Sequence, residues 1–569
     1  MMKINWAIST SRLAAVTALV LATSSAATAE EQKVAANIGY AAKIFDGSRG
    51  VPLHPDQTQE LKLKITQPFT AVAVGDLLEF QPFAHTDDQR TQALLDQLRK
   101  ADVTMGDFED EISDFDNFGH VGGNLATKEV ADDWADMGID IVSRANNKRD
   151  DAPQIWEDFR QVERVGIKHV GVAHTLEEAR MPRFVATPEG LVGVIGVSAD
   201  GGVDACCSGG AIVPVTAAQL AQVAAIKQSI IARRDEVEVP VDMPAADEAG
   251  TVDLFGLTFR LTNSNAAAGT ASGAEAYYRE RKPGPDDGIK NSLHVTLFHG
   301  VTAPQMAVLR EIAQDRGSGD LHAFGTQFRV MDHAGEHSFD MNPDDLKQIL
   351  TQIRTAKQAS DMVMLNIHWH QNRYDFQHYS YDHFPANFEI KFAHDAIDQG
   401  VDMFVAQGVH TIKGIEIYKG RPIFYGTSNF IFQSAIMPKS KGVLRKPDGT
   451  PFAEQPNTRG PGDEDGKGPA VANDPNAIVG EHETQGFWQL KPNLESFLAE
   501  SHYDNGKLSE VRIYPVDLGQ TPRPGSQVGI PRTPTPTVAQ KILDEIIEYS
   551  KPFGTKITVE NGVGIIRLN

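Results

Sequence analysis

The chain is poor in cysteine, in basic residues and in long apolar runs, and each shortage removes a class of function. Its only cysteines are the neighbours Cys206 and Cys207, in Asp204-Ala-Cys-Cys-Ser-Gly-Gly210. Two thiols alone do not make a metal site. Adjacent ones either close a strained vicinal disulfide or stay free, and both alternatives stand. Lysine and arginine number 53 against 76 aspartate and glutamate, a formal net charge of -23. Such a surface repels nucleic acid and anionic lipid, which argues against binding to a phosphate backbone. Keeping an exported protein soluble is the simpler account of the acidity. No stretch beyond the N-terminus is long and apolar enough to span a bilayer.

The N-terminus sets the expected compartment. Lys3 and Arg12 precede the apolar run Leu13–Ala22, and Ala27-Thr28-Ala29 offers small residues to a signal peptidase. The run is about half the length a spanning helix needs, so residues 1–29 read as a cleaved signal peptide. Cleavage removes two positive charges and no negative one, moving the net charge from -23 to -25. The expectation is a periplasmic or secreted protein with no stable membrane span after signal cleavage.

Along the mature chain, residues 30–65 form a polar N-terminal segment. From residue 66 the pattern becomes α/β. Buried strands at Ala71–Val74, Val103–Met105, Ile139–Ser143 and His169–Val172 alternate with helices near 128–137 and 153–165, which predicts layers of helices on sheets. Residues from about 205 to 290 break this rhythm. They contain an Ala-rich helix near 216–233 and Gly/Pro-rich stretches, and residues 208–290 read as an insertion or cap. The rhythm resumes at Asn342-Pro343, a helix N-cap followed by a first-turn proline. Leu346, Ile349, Leu350 and Ile353 then mark one helical face. A strand at Asp361–Ile367 ends in His368-Trp-His370, and Met403–Val405 leads to Gln407-Gly-Val-His410. The main domain is expected over 66–435, with a long mobile loop at 436–480. Residues 481–569 complete it with a strand pair near 497–515, a Pro-rich linker at 522–536, a helix at 538–549 and a hairpin turning at Asn561-Gly562.

The chemistry gathers where strands end. Asp76, Glu109, Asn147, His368 with His370, and His410 each follow a strand, and open α/β sheets bind ligands outside the carboxyl ends of their strands. Carboxylates and an amide oxygen are hard ligands, while imidazoles favour Mn, Zn or Fe over Ca. Taken singly, a Gly-Asp is a turn, an Asn pair a helix cap and a lone His a hydrogen-bonded structural residue. The order of the clusters carries the reading.

The same order resembles the CapA proteins, the poly-γ-glutamate capsule synthesis family. The matching residues are Val74-Gly-Asp76, Phe108-Glu109, Ala145-Asn-Asn147 with Asp151, and Gly171-Val-Ala-His-Thr-Leu-Glu-Glu-Ala-Arg180. They continue through His368-Trp-His370, Val409-His410, Gly414-Ile-Glu-Ile-Tyr-Lys-Gly-Arg-Pro-Ile-Phe-Tyr-Gly-Thr-Ser-Asn-Phe-Ile-Phe432 and Ser550-Lys-Pro-Phe-Gly-Thr555. The resemblance implies a layered α/β/β/α sandwich of the calcineurin-like metallophosphoesterase type, with insertions and a C-terminal hairpin extension. It implies metal ligands at Asp76, Glu109, Asn147, His368 and His410, with Glu109 able to bridge. Gln407 also stands at a ligand position and offers only its carbonyl oxygen. Lys148, Asp151 and His370 are then the catalytic candidates, Lys148 by stabilising an anionic transition state. The implied cofactor is one divalent ion (Mn, Zn or Fe) or none, polarising a phosphoryl or carbonyl oxygen and acidifying water. The expected partner is an anionic polymer or phosphoester.

The chain departs from the family pattern at Lys148 for a histidine, Gln407 within the usual Gly-His-x-Pro-His, Gln371 for a glutamate and Asp107-Phe-Glu109 for Asn-Leu-Glu. Leu78 stands where the Asp-x-His opening of general phosphatases has its histidine. Two functions follow as expectations: a hydrolase acting in synthesis, export or processing of an envelope polymer, or an accessory binding protein that keeps the cleft without the catalysis.

Overall fold

The computed structural model describes residues 60–114, 125–148, 152–201, 211–238, 247–262, 284, 286–371, 373–374, 382–433, 478–479 and 491–568. The signal peptide expected at 1–29, Cys206 and Cys207, Asp151 and most of the 436–480 loop lie outside the described residues.

Two mixed sheets organise the chain. The first runs Thr558–Glu560, Val563–Arg567, Lys507–Asp517, Glu495–Asp504, Phe69–Leu78, Val103–Phe108, Ile141–Ser143 and Lys168–Val170, with Asn429–Phe432 joined in parallel to the end of Phe69–Leu78. The second runs Leu321–Ala323, Thr326–Val330, Ser292–Val301, Leu191–Asp200, Met362–His368, Met403–Gln407, Arg421–Phe424 and Ile415–Tyr418. Arg183–Ala186 and His337–Met341 pair beside it.

Strand alternation dictates how these sheets stack. Ala71 and Ala73 face the second sheet. Val72 and Val74 face outward and pack with Leu94, Leu95 and Leu98 of helix Gln89–Lys100 and Val130 and Trp134 of helix Glu129–Met137. In the second sheet Met362, Met364, Met403 and Val405 face the first. Val363, Leu365, Ile367 and Phe404 turn the other way, onto Ile349 and Ile353 of helix Pro343–Ala359 and Phe392 and Ile397 of helix Asn387–Gln399. The product is a four-layer α/β/β/α sandwich. Asn342 caps Pro343–Ala359 through its side chain, which accepts from the Asp344 and Asp345 amides.

Part of the 205–290 segment forms its own small unit. Ile212–Val215, Leu257–Leu261 and Thr251–Leu254 make a three-stranded sheet packed on helix Ala217–Val237. Its core, including Val223, Ile226 and Phe259, continues into Met306, Leu309 and Phe328.

Three local expectations need correction. Asp76 does not close a strand at Val74 but lies inside the longer strand Phe69–Leu78, whose register shifts between Ala73 and Asp76. The end of the polar N-terminal segment is core, since Leu63 and Ile65 are buried between the sheets. The Pro-rich stretch near 522–536 is wall rather than linker: Val528 is fully buried, and Arg523 pairs with Asp517 at 2.7 Å. The final hairpin turns at Asn561 and Gly562, both at positive φ (52° and 80°), as a two-residue primed turn requires. Among the described residues no helix is long and apolar enough to cross a membrane.

Candidate metal centre

The inner faces of the two sheets are apolar deep in the sandwich and polar at the carboxyl ends. Following every second residue gives Val103, Met105 and then Asp107; Met362, Met364, Asn366 and then His368; Met403, Val405 and then Gln407. Parallel strands therefore deliver their terminal side chains to one buried place. Asp107 and His368, on different sheets, meet there: His368 Nδ1 lies 3.0 Å from Asp107 Oδ2.

Two three-residue groups share Asp76. One is Asp76, Asp107 and His368; the other is Asp76, Glu109 and His410; within each, one ligand atom per residue lies within 4.8 Å of the others. His368 Nε2 is 3.6 Å from Glu109 Oε1 and 2.9 Å from His370 Nε2. His410 Nδ1 donates to Asn429 Oδ1 at 2.7 Å and sits 3.2 Å from Asp76 Oδ2. Lys148 Nζ faces Glu109 Oε2 at 3.9 Å.

These donors suit a hard divalent cation. Both oxygens of Asp76, both of Glu109, Asp107 Oδ1 and Asn147 Oδ1 are buried without a hydrogen-bond partner. Stranding that many acceptors costs about 1–3 kcal/mol each, more when charged. Carboxylate and amide oxygens with imidazole nitrogens are also the mixture that Mn, Zn or Fe takes. The described residues thus hold a buried Asp/Glu/His group able to bind a metal ion.

Burial and charge pull against each other here. Burial raises Asp76 above its ordinary range, helped by Glu109, and raises Asp107 to about 6. Burial would raise Glu109 too, but Lys148, then His410 and His368, hold it below its usual value. His368 and His410 are buried, yet their carboxylate neighbours, Asp107 for the first and Asp76 for the second, raise both. His370 has no such neighbour: burial and the two facing imidazoles push it well below the usual imidazole value.

The backbone is bent to achieve this. A Cβ at Gly75 would sit 2.0 Å from the Ser428 carbonyl oxygen, so only glycine lets the strand carrying Asp76 approach that loop. Ser428 and His410 both adopt left-handed φ (60° and 55°), and Ser428 Oγ donates to the His410 carbonyl at 3.0 Å. Strained non-glycine residues of this kind persist where surrounding structure over-determines them, and they concentrate at functional sites.

Of the sequence candidates, Asp76, Glu109, His368 and His410 converge, with His370 and Lys148 at contact distance. Asn147 follows the Ile141–Ser143 strand with its amide oxygen buried. Gln407 is not brought into the donor set. Its amide nitrogen donates to the Val74 carbonyl at 2.7 Å and its oxygen accepts from Asn366, so it ties the two sheets together. Gln371 likewise is a strut, donating to the Ala199 and Gly201 carbonyls at 3.1 and 2.7 Å. Sequence reasoning missed three residues. Asp107 carried a signal, because it continues the inner-face alternation of its strand. Asn146 bonds the Phe108 carbonyl at 2.6 Å, and Asn429 holds His410; both stood in quoted motifs, Ala145-Asn-Asn147 and Gly414–Phe432, but were given no role.

The family described as bacterial capsule synthesis protein PGA_cap matches residues 70–434. The uncharacterized protein y4sH of Sinorhizobium fredii is 28% identical over 536 residues, 90% of this chain and 96% of that protein. Capsule biosynthesis protein CapA of Bacillus anthracis is 30% identical over 96 residues, 17% of this chain and 21% of its own. A probable polyglutamine synthesis accessory protein of Mycobacterium tuberculosis is 31% identical over 88 residues, 16% of this chain and 21% of its own.

Proposed function

The chain belongs to the PGA_cap family of bacterial capsule synthesis proteins, and from that premise we propose that it is an exported protein with a metal-dependent hydrolytic centre. It would act in the synthesis, export or processing of an anionic envelope polymer such as poly-γ-glutamate, or on a phosphoester. The buried carboxylate oxygens that accept no hydrogen bond, gathered beside His368 and His410, carry this reading.

Asp76, Asp107, Glu109, Asn147, His368 and His410 would hold the ion. When bound it supplies Lewis acidity toward a phosphoryl or carbonyl oxygen. Asp107 and Asn429 fix which imidazole nitrogens of His368 and His410 remain as donors. His370, whose Nε2 lies 2.9 Å from His368 Nε2, would stay a neutral imidazole beside the ion and accept a proton at Nε2. The Lys148 ammonium would face negative charge developing on substrate. Asp151, outside the described residues, stays a proposed catalytic group by position alone.

One observation favours a second reading. Lys148 pairs with Glu109 inside the centre, the contact expected of an accessory binding protein that has given up the cation. Elemental analysis and isothermal titration of the purified mature protein separate the two. Stoichiometric Mn, Zn or Fe, lost in a His368→Ala/His410→Ala double variant, together with metal-dependent cleavage of poly-γ-glutamate or an aryl phosphate, supports the hydrolase. A protein that takes up no ion from solution refutes it.

A further inference from the structure

Lys148 is held in place by more than its own charge. Asn146 Oδ1 accepts the Lys148 backbone N–H at 3.0 Å and the Arg144 guanidinium at 2.9 Å, while Asn146 Nδ2 donates to the Phe108 carbonyl at 2.6 Å. The loop after strand Ile141–Ser143 is thereby stapled to the residue just before Glu109. Arg144 is itself fully buried, 3.6 Å from the equally buried Asp158, which anchors the staple from behind. An ammonium only a tenth exposed is thus aimed at Glu109 Oε2, at 3.9 Å.

Glu109 consequently divides its two oxygens: Oε1 toward His368 and Oε2 toward Lys148. Two donor groups exist around Asp76, enough in outline for two ions. Charge decides otherwise. Asp76, Asp107 and Glu109 bring three negative charges, and the fixed Lys148 cation cancels one, leaving two. That balance matches a single divalent ion, whereas a second would bring the buried site to +2; without Lys148 the same two ions leave +1, which one anion from solution cancels. We propose that Lys148 is a built-in cation that limits this centre to one divalent ion. It is a positioning residue, acting through Glu109. The inference rests on the metal-binding reading above.

The test counts ions rather than turnover. Chelator-treated mature protein is titrated with Mn²⁺ and with Zn²⁺ by calorimetry, and metal content is measured after gel filtration, for wild type, Lys148→Arg and Lys148→Ala. One ion per chain is expected in wild type and in Lys148→Arg, and two in Lys148→Ala. Circular dichroism and the first-site affinity show whether Lys148→Ala is folded. If it is not, Lys148→Gln replaces it with the same expectation. Two ions in wild type, or one in every folded variant, overturn the inference and leave the metal-binding reading intact. No ion in any variant overturns both.

Discussion

Replacing Asn429 by leucine removes one amide and two bonds at nearly constant volume. Asn429 is fully buried on strand Asn429–Phe432, where its Oδ1 accepts from His410 Nδ1 at 2.7 Å and its Nδ2 donates to the Asn493 carbonyl at 3.0 Å. Two effects separate. For stability, His410 and the Asn493 carbonyl each lose a buried partner, together about 2–6 kcal/mol by the usual cost of an orphaned group. For binding, His410 loses the acceptor that fixes its tautomer and ring plane. Losses of this kind lower metal affinity about 10–100-fold, equivalent to ~1.4–2.7 kcal/mol. Urea unfolding in EDTA reads the first effect, and calorimetric titration with Mn²⁺ or Zn²⁺ reads the second. Asn429→Asp keeps the acceptor at Oδ1 and adds a negative charge beside His410, so it should bind the ion at least as tightly as wild type while still losing the bond to Asn493. If Asn429→Leu binds metal within twofold of wild type although its stability falls, His410 is not a ligand oriented by Asn429 and the reasoning fails.

Two further outcomes concern stability alone. Lys357→Met removes the ammonium that pairs with Asp402 at 2.5 Å, both side chains being almost wholly buried. Breaking a buried pair from one side typically costs ~3–5 kcal/mol, and a loss under 1 kcal/mol in urea unfolding would show that Arg421 and the Val363 amide suffice for Asp402. Burial also raises Asp158 from 3.8 to about 8 and Glu389 from 4.5 to about 7. Between the ordinary and the raised values the folded state binds more protons than the unfolded one, so this contribution is complete at low pH and lost as pH climbs through 7 and 8. Stability in EDTA should therefore fall from about pH 4 to about pH 8 and level off above that, less steeply in Glu389→Gln. A flat or rising profile in wild type would contradict the assignment.

The parts of the fold that were legible in sequence were those encoded locally. Asn342-Pro343 announces its helix because the cap is made within three residues, and Asn561-Gly562 announces its hairpin because the turn needs left-handed φ at both positions. The strand-terminal polar residues were visible for the same reason. Illegible were features set by distant partners. That Asp76 lies within a strand depends on the approach of Ser428 to Gly75, and the roles of Asn146 and Asn429 depend on Phe108 and His410. Gln407 was assigned to the donor set by position, yet its amide is taken by Asn366 and Val74, neighbours that no local pattern names. The 522–536 stretch looked like a linker by composition; one buried valine and one buried arginine make it part of the wall.

His368 and Asp107 stand 261 residues apart in the chain and 3.0 Å apart in space. A polypeptide leaving the ribosome or an export channel therefore owns every early donor long before the last arrives, and none of them can chelate as a set until both sheets have closed. Occupancy of the centre by the proposed ion would then certify completed folding. Half-built chains would hold no ion in this way, and chelation during folding would hold back the final step rather than the first.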